Sequence, residues 1–277
     1  MALKIISAEE RMNRKTPIKG IILGEHGIGK TSLLWTLPPE ETLFLNLEAG
    51  DLAVQDCPVD SIDIKTWEQA VDIACLITGP DSSRRADQPY SQAHYDYVAK
   101  ETNPEFLSKY KIIFWDSISV ASRLCWQWAT GQPEAFSDKT GKADTRGTYG
   151  LIGREIVRWL TRIQHADKNV WVVGGLDQKE DDFGRVRFVP QIEGSKAGNE
   201  LPGIFDELIS MVSMQDEEGK PYRAFVCHKV NAWNYPAKDR SGRLDMVEQP
   251  HLGKLMEKIN GPKPDRKFQT DIPEEQS

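Results

Sequence analysis

The chain of 277 residues carries only four cysteines, Cys57, Cys75, Cys125 and Cys227, and no two of them form a Cys-x-x-Cys pair. Such spacing argues against a zinc site or a disulfide framework and fits a reducing, cytoplasmic setting. Histidine is scarce as well, with five scattered residues. No apolar run approaches the roughly 20 residues that a membrane span needs. The opening MALKIISAEERMNRK lacks the long apolar stretch of a secretory signal, so no membrane association is expected. Positive charge is not in excess: 35 Lys and Arg face 42 Asp and Glu, a net charge of −7. This argues against a surface that grips nucleic acid all over, while leaving room for a local basic groove. Internal repeats and low-complexity tracts are absent.

What is present is an alternation of short apolar runs with amphipathic segments, which reads as an α/β domain around a mainly parallel sheet. Strands are predicted over residues 18–23, 42–47, 61–64, 111–115 and 170–174, and helices over 30–37, 66–78, 118–129 and 151–166. Near the C-terminus two strand-like runs, 207–214 and 222–227, flank the polar turn QDEEGKP and predict an antiparallel hairpin. A helix over 247–259 is expected to precede a disordered, proline-bearing tail, 261–277. The simplest organisation is an extension over 1–15, one domain over 16–260, and the tail. Two long polar segments, 130–149 and 177–203, interrupt the pattern, and loops of that length usually carry function or are disordered. Of the eight tryptophans, Trp126 and Trp128 cannot share one helix face, Trp159 stands at core spacing, and Trp115 sits in the apolar run 111–115.

The most informative stretch is GEHGIGKTS, formed by Gly24, Glu25, His26, Gly27, Ile28, Gly29, Lys30, Thr31 and Ser32. It follows an apolar strand and opens a helical segment, the setting in which Gly-x-x-x-x-Gly-Lys-Thr cradles phosphates. Gly24 lets the chain leave the strand, and Gly27 and Gly29 let backbone N–H groups converge on an anion. Lys30 is placed to reach the β- and γ-phosphates, and the Thr31 hydroxyl to bind Mg²⁺. The partial positive charge of the helix opening near Gly29 faces the same phosphates. His26 reads as a variable loop residue rather than a ligand.

Hydrolysis needs more than a cradle. YKIIFWDSIS supplies a carboxylate, Asp116, at the end of a strand expected beside the first, where it would hold Mg²⁺ through water. The competing reading is that Asp116 caps the helix starting near Ile118. TLFLNLEAGD ends the second strand with Glu48, a candidate to activate water, with Asp51 as its competitor.

These motifs together resemble the core of RecA-like P-loop ATPases. The resemblance implies ATP and Mg²⁺ as cofactors. NVWVVGGLDQKED is similar to the next strand of that core, whose polar end senses the γ-phosphate: Gln178, with Asp177 as rival. NYPAKDRSGRL resembles the Lys-x-Arg by which one subunit reaches into its neighbour's site, implying that Lys238 and Arg240 act in trans as an arginine finger does. Completion by assembly into a ring or filament, and weak hydrolysis by an isolated monomer, follow from it. More narrowly, the phosphate loop, TRGTYGLIGREIVRWL, GNELPGIFDELISM and AKDRSGRL make the chain look like the phage-type RecA-like ATPases of recombination modules, AAA-type ATP-binding proteins in a group that includes single-strand annealing proteins. The resemblance spans about residues 18–245.

In that core two loops touch DNA, and by position they correspond to the two polar segments. The first offers Lys139, Lys142 and Arg146; the second offers Arg185, Arg187 and Lys196. Their cations would contact phosphate oxygens, and Phe183, Phe188 and Tyr149 would stack on the bases of a single strand. Acids interleave with them, Asp138 and Asp144 in one segment and Asp181, Asp182 and Glu193 in the other, so the grip depends on many subunits. The expected partner is single-stranded DNA, and a single-strand-binding protein that would recruit the enzyme through its tail is a further candidate. Two alternatives stand beside this: a nucleotide-dependent module acting on protein partners, and, more weakly, a small-molecule kinase.

Overall fold

A computed structural model describes residues 5–180, 184 and 186–262. A short helix, α1 (Ala8–Asn13), precedes β1 (Lys19–Gly24), β2 (Thr42–Asn46) and β3 (Asp60–Asp63). Then come α2 (Trp67–Thr78), α3 (Gln92–Thr102), β4 (Ile112–Asp116), α4 (Ile118–Thr130), α5 (Thr145–Gln164) and β5 (Asn169–Glu180). The chain continues through β6 (Val186–Pro190), α6 (Ser195–Ile204), β7 (Glu207–Gln215) and β8 (Pro221–Val226). It closes with the two-residue strands β9 (Lys238–Asp239) and β10 (Val247–Glu248), and α7 (Leu252–Ile259).

The sheet order is β10, β8, β7, β1, β5, β4, β2, β3. Strands β7, β1, β5, β4, β2 and β3 run parallel, and β8 returns antiparallel to β7, as the hairpin expectation has it. The expected neighbour relation at the centre is corrected, because β5 lies between β1 and the strand that ends in Asp116. Nothing local in the sequence fixes which strand enters between two others.

Central strands are buried on both faces, which is why they read as continuous apolar runs rather than alternating ones. Alternate residues still serve different layers. Ile21, Leu23, Leu45, Ile113 and Trp115 pack on one side with α2, α4 and α5. Ile22, Phe44, Phe114 and Trp171 pack on the other with Leu33, Leu34, Leu252 and Leu255. On the first side Trp159 meets Trp115 edge-on, their ring centroids 5.0 Å apart, and donates its indole N–H to the Ala70 carbonyl at 3.1 Å. Trp126 is exposed while Trp128 is half-buried, consistent with their different helix faces.

Several expected boundaries shift for identifiable reasons. The segment after Lys30 is a 3-10 helix, Thr31–Thr36, and not a full α-helix; Pro38 and Pro39 stop it after six residues. Residues 247–259 divide at Pro250, so that Val247 and Glu248 join the sheet edge and only Leu252–Ile259 is helical. Within 177–203, β5 runs on to Glu180 and pairs with β6, and α6 follows. Ala197, Leu201 and Ile204, at helical spacing, are buried against the rest of the core. The first polar segment also contributes structure, since α5 begins at Thr145 under an Asp144 cap. The fold leaves α3 nearly unbacked by apolar pattern, only Val98 being buried, which is why no helix is expected there from periodicity. No helix among the described residues is long and apolar enough to cross a membrane.

Gly20 carries a packing test of this arrangement. A Cβ at Gly20 would lie 2.1 Å from Trp171 Cζ3, and Trp171 is fully buried. Gly20→Ala is expected to lower stability by ~1–3 kcal/mol through overpacking, read as a lower midpoint in urea unfolding.

Candidate nucleotide site

The loop leaves β1 at Gly24, level with Gly175 of β5 and Met211 of β7. Gly27 and Gly29 have φ of 76° and 98°, the region that side chains avoid, so glycine is required at both. Glu25, His26 and Gly27 are exposed at the loop tip, while Ile28, Gly29 and Lys30 are half-buried. Lys30 Nζ donates to the Gly24 and Glu25 carbonyls, both at 2.9 Å, and so folds back over the loop it belongs to. Burial lowers the Lys30 pKa, opposed by the charges of Asp116, Glu48 and Glu25. Because the following helix is one short 3-10 segment, the loop N–H groups rather than a long helix dipole must supply most of the positive field.

Across β5, Thr31 Oγ1 donates to Asp116 Oδ2 at 2.6 Å. The cap of α4 is Ser117, whose Oγ accepts from the Val120 N–H at 3.3 Å. Asp116 is therefore not spent on capping and faces the loop instead. The Ser117 hydroxyl in turn donates to Glu48 Oε1. Glu48 is exposed at the end of β2, and the turn behind it is held by two bonds. Leu47 N–H donates to the Asp116 carbonyl at 2.7 Å, and Ala49 N–H to Asn46 Oδ1 at 3.1 Å. Ala49 itself adopts φ of 52°, a left-handed conformation that costs a non-glycine residue about 1 kcal/mol. Local strain of that kind is concentrated where a side chain must be aimed. Asp51 is the residue before a short 3-10 turn and makes no side-chain cap bond there.

Asp116 is 2% exposed, and its pKa is pushed up to about 6. Desolvation is the main cause; the Thr31 hydrogen bond and the Lys30 charge pull it down, and the Glu48 charge adds to the rise. Oxygen donors from Thr31 and Asp116 side by side, with a cation nearby to limit their charge, are the donor set that a hard divalent ion such as Mg²⁺ prefers. The residues present fit that ion.

Two further contacts at the loop were not legible in the sequence. His26 Nε2 and Gln191 Oε1 are 3.0 Å apart, so the second polar segment touches the phosphate loop. Arg223, on β8, lies against Gly29: a Cβ there would be 2.6 Å from Arg223 Nη1. Both are long-range contacts that no local spacing signals.

The remaining expected site residues are spread out. Gln178 is exposed on the ribbon formed by β5 and β6, where it pairs with Phe188, three residues beyond the pairing of Gly175 with Gly24; Asp177 is half-buried beside it. Lys238 Nζ donates to the Pro202 and Phe205 carbonyls at 2.5 and 2.8 Å, and Arg240 pairs with Asp206 at 2.6 Å. Both sit at the amino end of the sheet, since Asp239 pairs with Glu207 and Glu207 with Gly20. The loop springs from Gly24, four residues and roughly 13 Å further along the strand. Lys139, Lys142, Arg146, Arg187 and Lys196 are exposed. Phe188 stacks on Tyr235, ring centroids 4.2 Å apart, and Tyr149 is 46% exposed. Arg185 and Phe183 lie outside the described residues, as do Asp181 and Asp182.

A strand, a glycine loop ending in Lys-Thr, and an acid two strands away define a P-loop nucleotide site on a mostly parallel α/β sheet. The profile of a family described as an AAA domain matches residues 16–241, and the chain belongs to this family of AAA-type P-loop ATPases. No curated protein matches the chain.

The raised Asp116 carboxyl has a consequence for stability. The native state keeps a proton that the unfolded chain releases between about pH 4 and pH 6. Stability therefore falls as pH rises through that window and is level above it. Without divalent ions, Asp116→Asn is expected to be more stable than the native sequence above pH 6, by up to ~3 kcal/mol, with the difference vanishing near pH 4. Urea unfolding in EDTA across that range measures it.

Proposed function

We propose that the chain is a Mg²⁺-dependent ATPase that acts on single-stranded DNA in recombination, annealing or repair of the phage type, and that its site is completed by a second copy in a ring or filament. The observation that carries the hydrolytic part is the continuous contact from Thr31 through Asp116 and Ser117 to Glu48 at the mouth of the phosphate loop. In this reading Lys30 and the loop N–H groups bind the triphosphate, and Glu48 takes the proton of the attacking water. Thr31 and Asp116 hold Mg²⁺, whose charge offsets that developing on the phosphate oxygens. Family membership supports nucleotide-dependent activity.

Completion in trans is supported by the location of Lys238 and Arg240. They lie at the far end of the strands from their own loop and so are unavailable to it, but they are half-buried or exposed at an edge that a neighbour can meet. Arg240 would exchange its Asp206 partner for the phosphoryl group. The DNA part is supported by the exposed cations of the two polar segments and by their link to the site. The second segment bonds to the loop through Gln191 and His26, and to α4 through Glu193 N–H and Ser122 Oγ at 3.0 Å. It also meets the first segment's helix, because Lys196 Cβ lies 3.8 Å from the Cβ position of Gly153 on α5. A change at the γ-phosphate thus has a path to both segments. Gln178 or Asp177, on the β5–β6 ribbon of the second segment, would act as the sensor.

A second reading, a nucleotide-dependent module for protein partners without DNA, is favoured by the exposed acid Asp138 beside Lys139 and by the net charge of −7. The test is Mg²⁺-dependent ATP hydrolysis with and without a single-stranded oligonucleotide, over a range of protein concentrations. Lys30→Ala should abolish activity, and Glu48→Gln should lower kcat at least ~100-fold while nucleotide still binds. Specific activity should rise with both DNA and protein concentration. Hydrolysis indifferent to DNA at low salt would remove the DNA reading and leave the protein-directed one.

A further inference from the structure

Arg223 stands apart from every other cation near the loop. Its guanidinium lies over Gly29, with Nη1, Cζ and Nη2 at 2.6, 3.2 and 3.8 Å from the position a Cβ would take. Lys30 is bonded to loop carbonyls, and Lys238 and Arg240 are engaged at the other end of the sheet. Among the described residues, Arg223 has no carboxylate and no side-chain hydrogen-bond partner. A guanidinium is a planar fork shaped for phosphate, and one left without a counter-charge beside a phosphate cradle is poised to take an anion.

The strand order says which part of a nucleotide it would meet. Glu48 and Asp116 rise from β2 and β4, on the β5 side of β1; Arg223 rises from β8, on the β7 side. Water activated by Glu48 must attack the γ-phosphate from the acidic flank. The α- and β-phosphates and the nucleoside then run toward the opposite flank, where Arg223 stands. Arg223 pairs with Ser213 of β7, the strand beside β1, so the hairpin places it from a rigid element.

We infer that Arg223 clamps the α- and β-phosphates of the bound nucleotide in cis, as a binding residue common to the ATP and ADP states. This rests on the reading of the loop as an ATP site. It assigns to Arg223 a role different from that of a trans finger. A clamp of this kind binds ground state and transition state alike, so its loss raises KM and spares kcat.

The test uses mant-ATP and mant-ADP binding, together with steady-state hydrolysis, for the native protein, Arg223→Ala and Arg223→Lys. Arg223→Ala should weaken both ligands about tenfold and raise KM to match, with kcat within about twofold; Arg223→Lys should fall between. Circular dichroism melts check that the variants fold, and the lysine variant carries the test if alanine does not. Unchanged affinity for both ligands overturns the proposal while leaving the ATPase reading intact. A kcat loss beyond ~100-fold with mant-ADP binding unchanged also overturns it, because Arg223 would then act on the γ-phosphate. A native protein that binds neither ligand removes the ATP reading itself, and this inference with it.

Discussion

The hydrogen bond between Thr31 and Asp116 is the interaction on which the site depends, and it spans the strand between their two elements. β5 lies between β1 and β4, so the bond reaches across β5 at the level of Val173 to Gly175. Two glycines stand in β5 at that level, and their neighbours pack closely on them. A Cβ at Gly174 would lie 2.6 Å from Ile118 Cγ2, and one at Gly175 would lie 2.4 Å from Gln191 Oε1. With those positions bare, α4 closes down over the sheet and Ser119 Oγ accepts from the Gly175 N–H at 2.9 Å. The start of α4 is then fixed, with Ser117 as its cap and Asp116 turned toward the loop.

Charge is arranged around that contact in two banks. Asp116 and Glu48 occupy the β5 side of the loop, Lys30 its centre and Arg223 the β7 side. A triphosphate laid across such a gradient has its terminal phosphate nearest the acids, where a divalent cation must intervene, and its inner phosphates nearest the guanidinium. Burial sharpens the effect, since the field of a nearly dry carboxylate is screened far less than that of one in water. The same burial makes Asp116 costly to ionise. A site prepared for a cation is commonly less stable for it, in keeping with the trade between activity and stability.

Much of this was legible in the sequence because it is local. Gly-x-x-x-x-Gly-Lys-Thr after an apolar strand, an apolar run ending in Asp116, and a strand ending in Glu48 each announce themselves within a few residues. The central strands and the helices α2, α4 and α5 follow from apolar periodicity that tertiary packing then reinforces. Boundaries failed where one residue outweighed a period: Pro38 and Pro39 shortened the helix after the loop, and Pro250 split the last one. Polarity misled over 177–203, where Ala197, Leu201 and Ile204 were too sparse to suggest α6. The strand expected to end at Gly174 runs on through Gly175 to Glu180, and α4 and Gln191 pack closely against its two glycines. Gln191 against His26 and Arg223 against Gly29 join residues more than 150 positions apart, and like the strand order they have no local signature.

The central claim is that Thr31 and Asp116 form one cation site with the phosphate loop. Calorimetric titration of ATP into the native protein and Thr31→Val, each with Mg²⁺ and with EDTA, addresses it directly. The account predicts that Mg²⁺ strengthens binding to the native protein at least ~10-fold, and that Thr31→Val loses this gain while binding ATP in EDTA as the native protein does. An equal gain from Mg²⁺ in both proteins would contradict it.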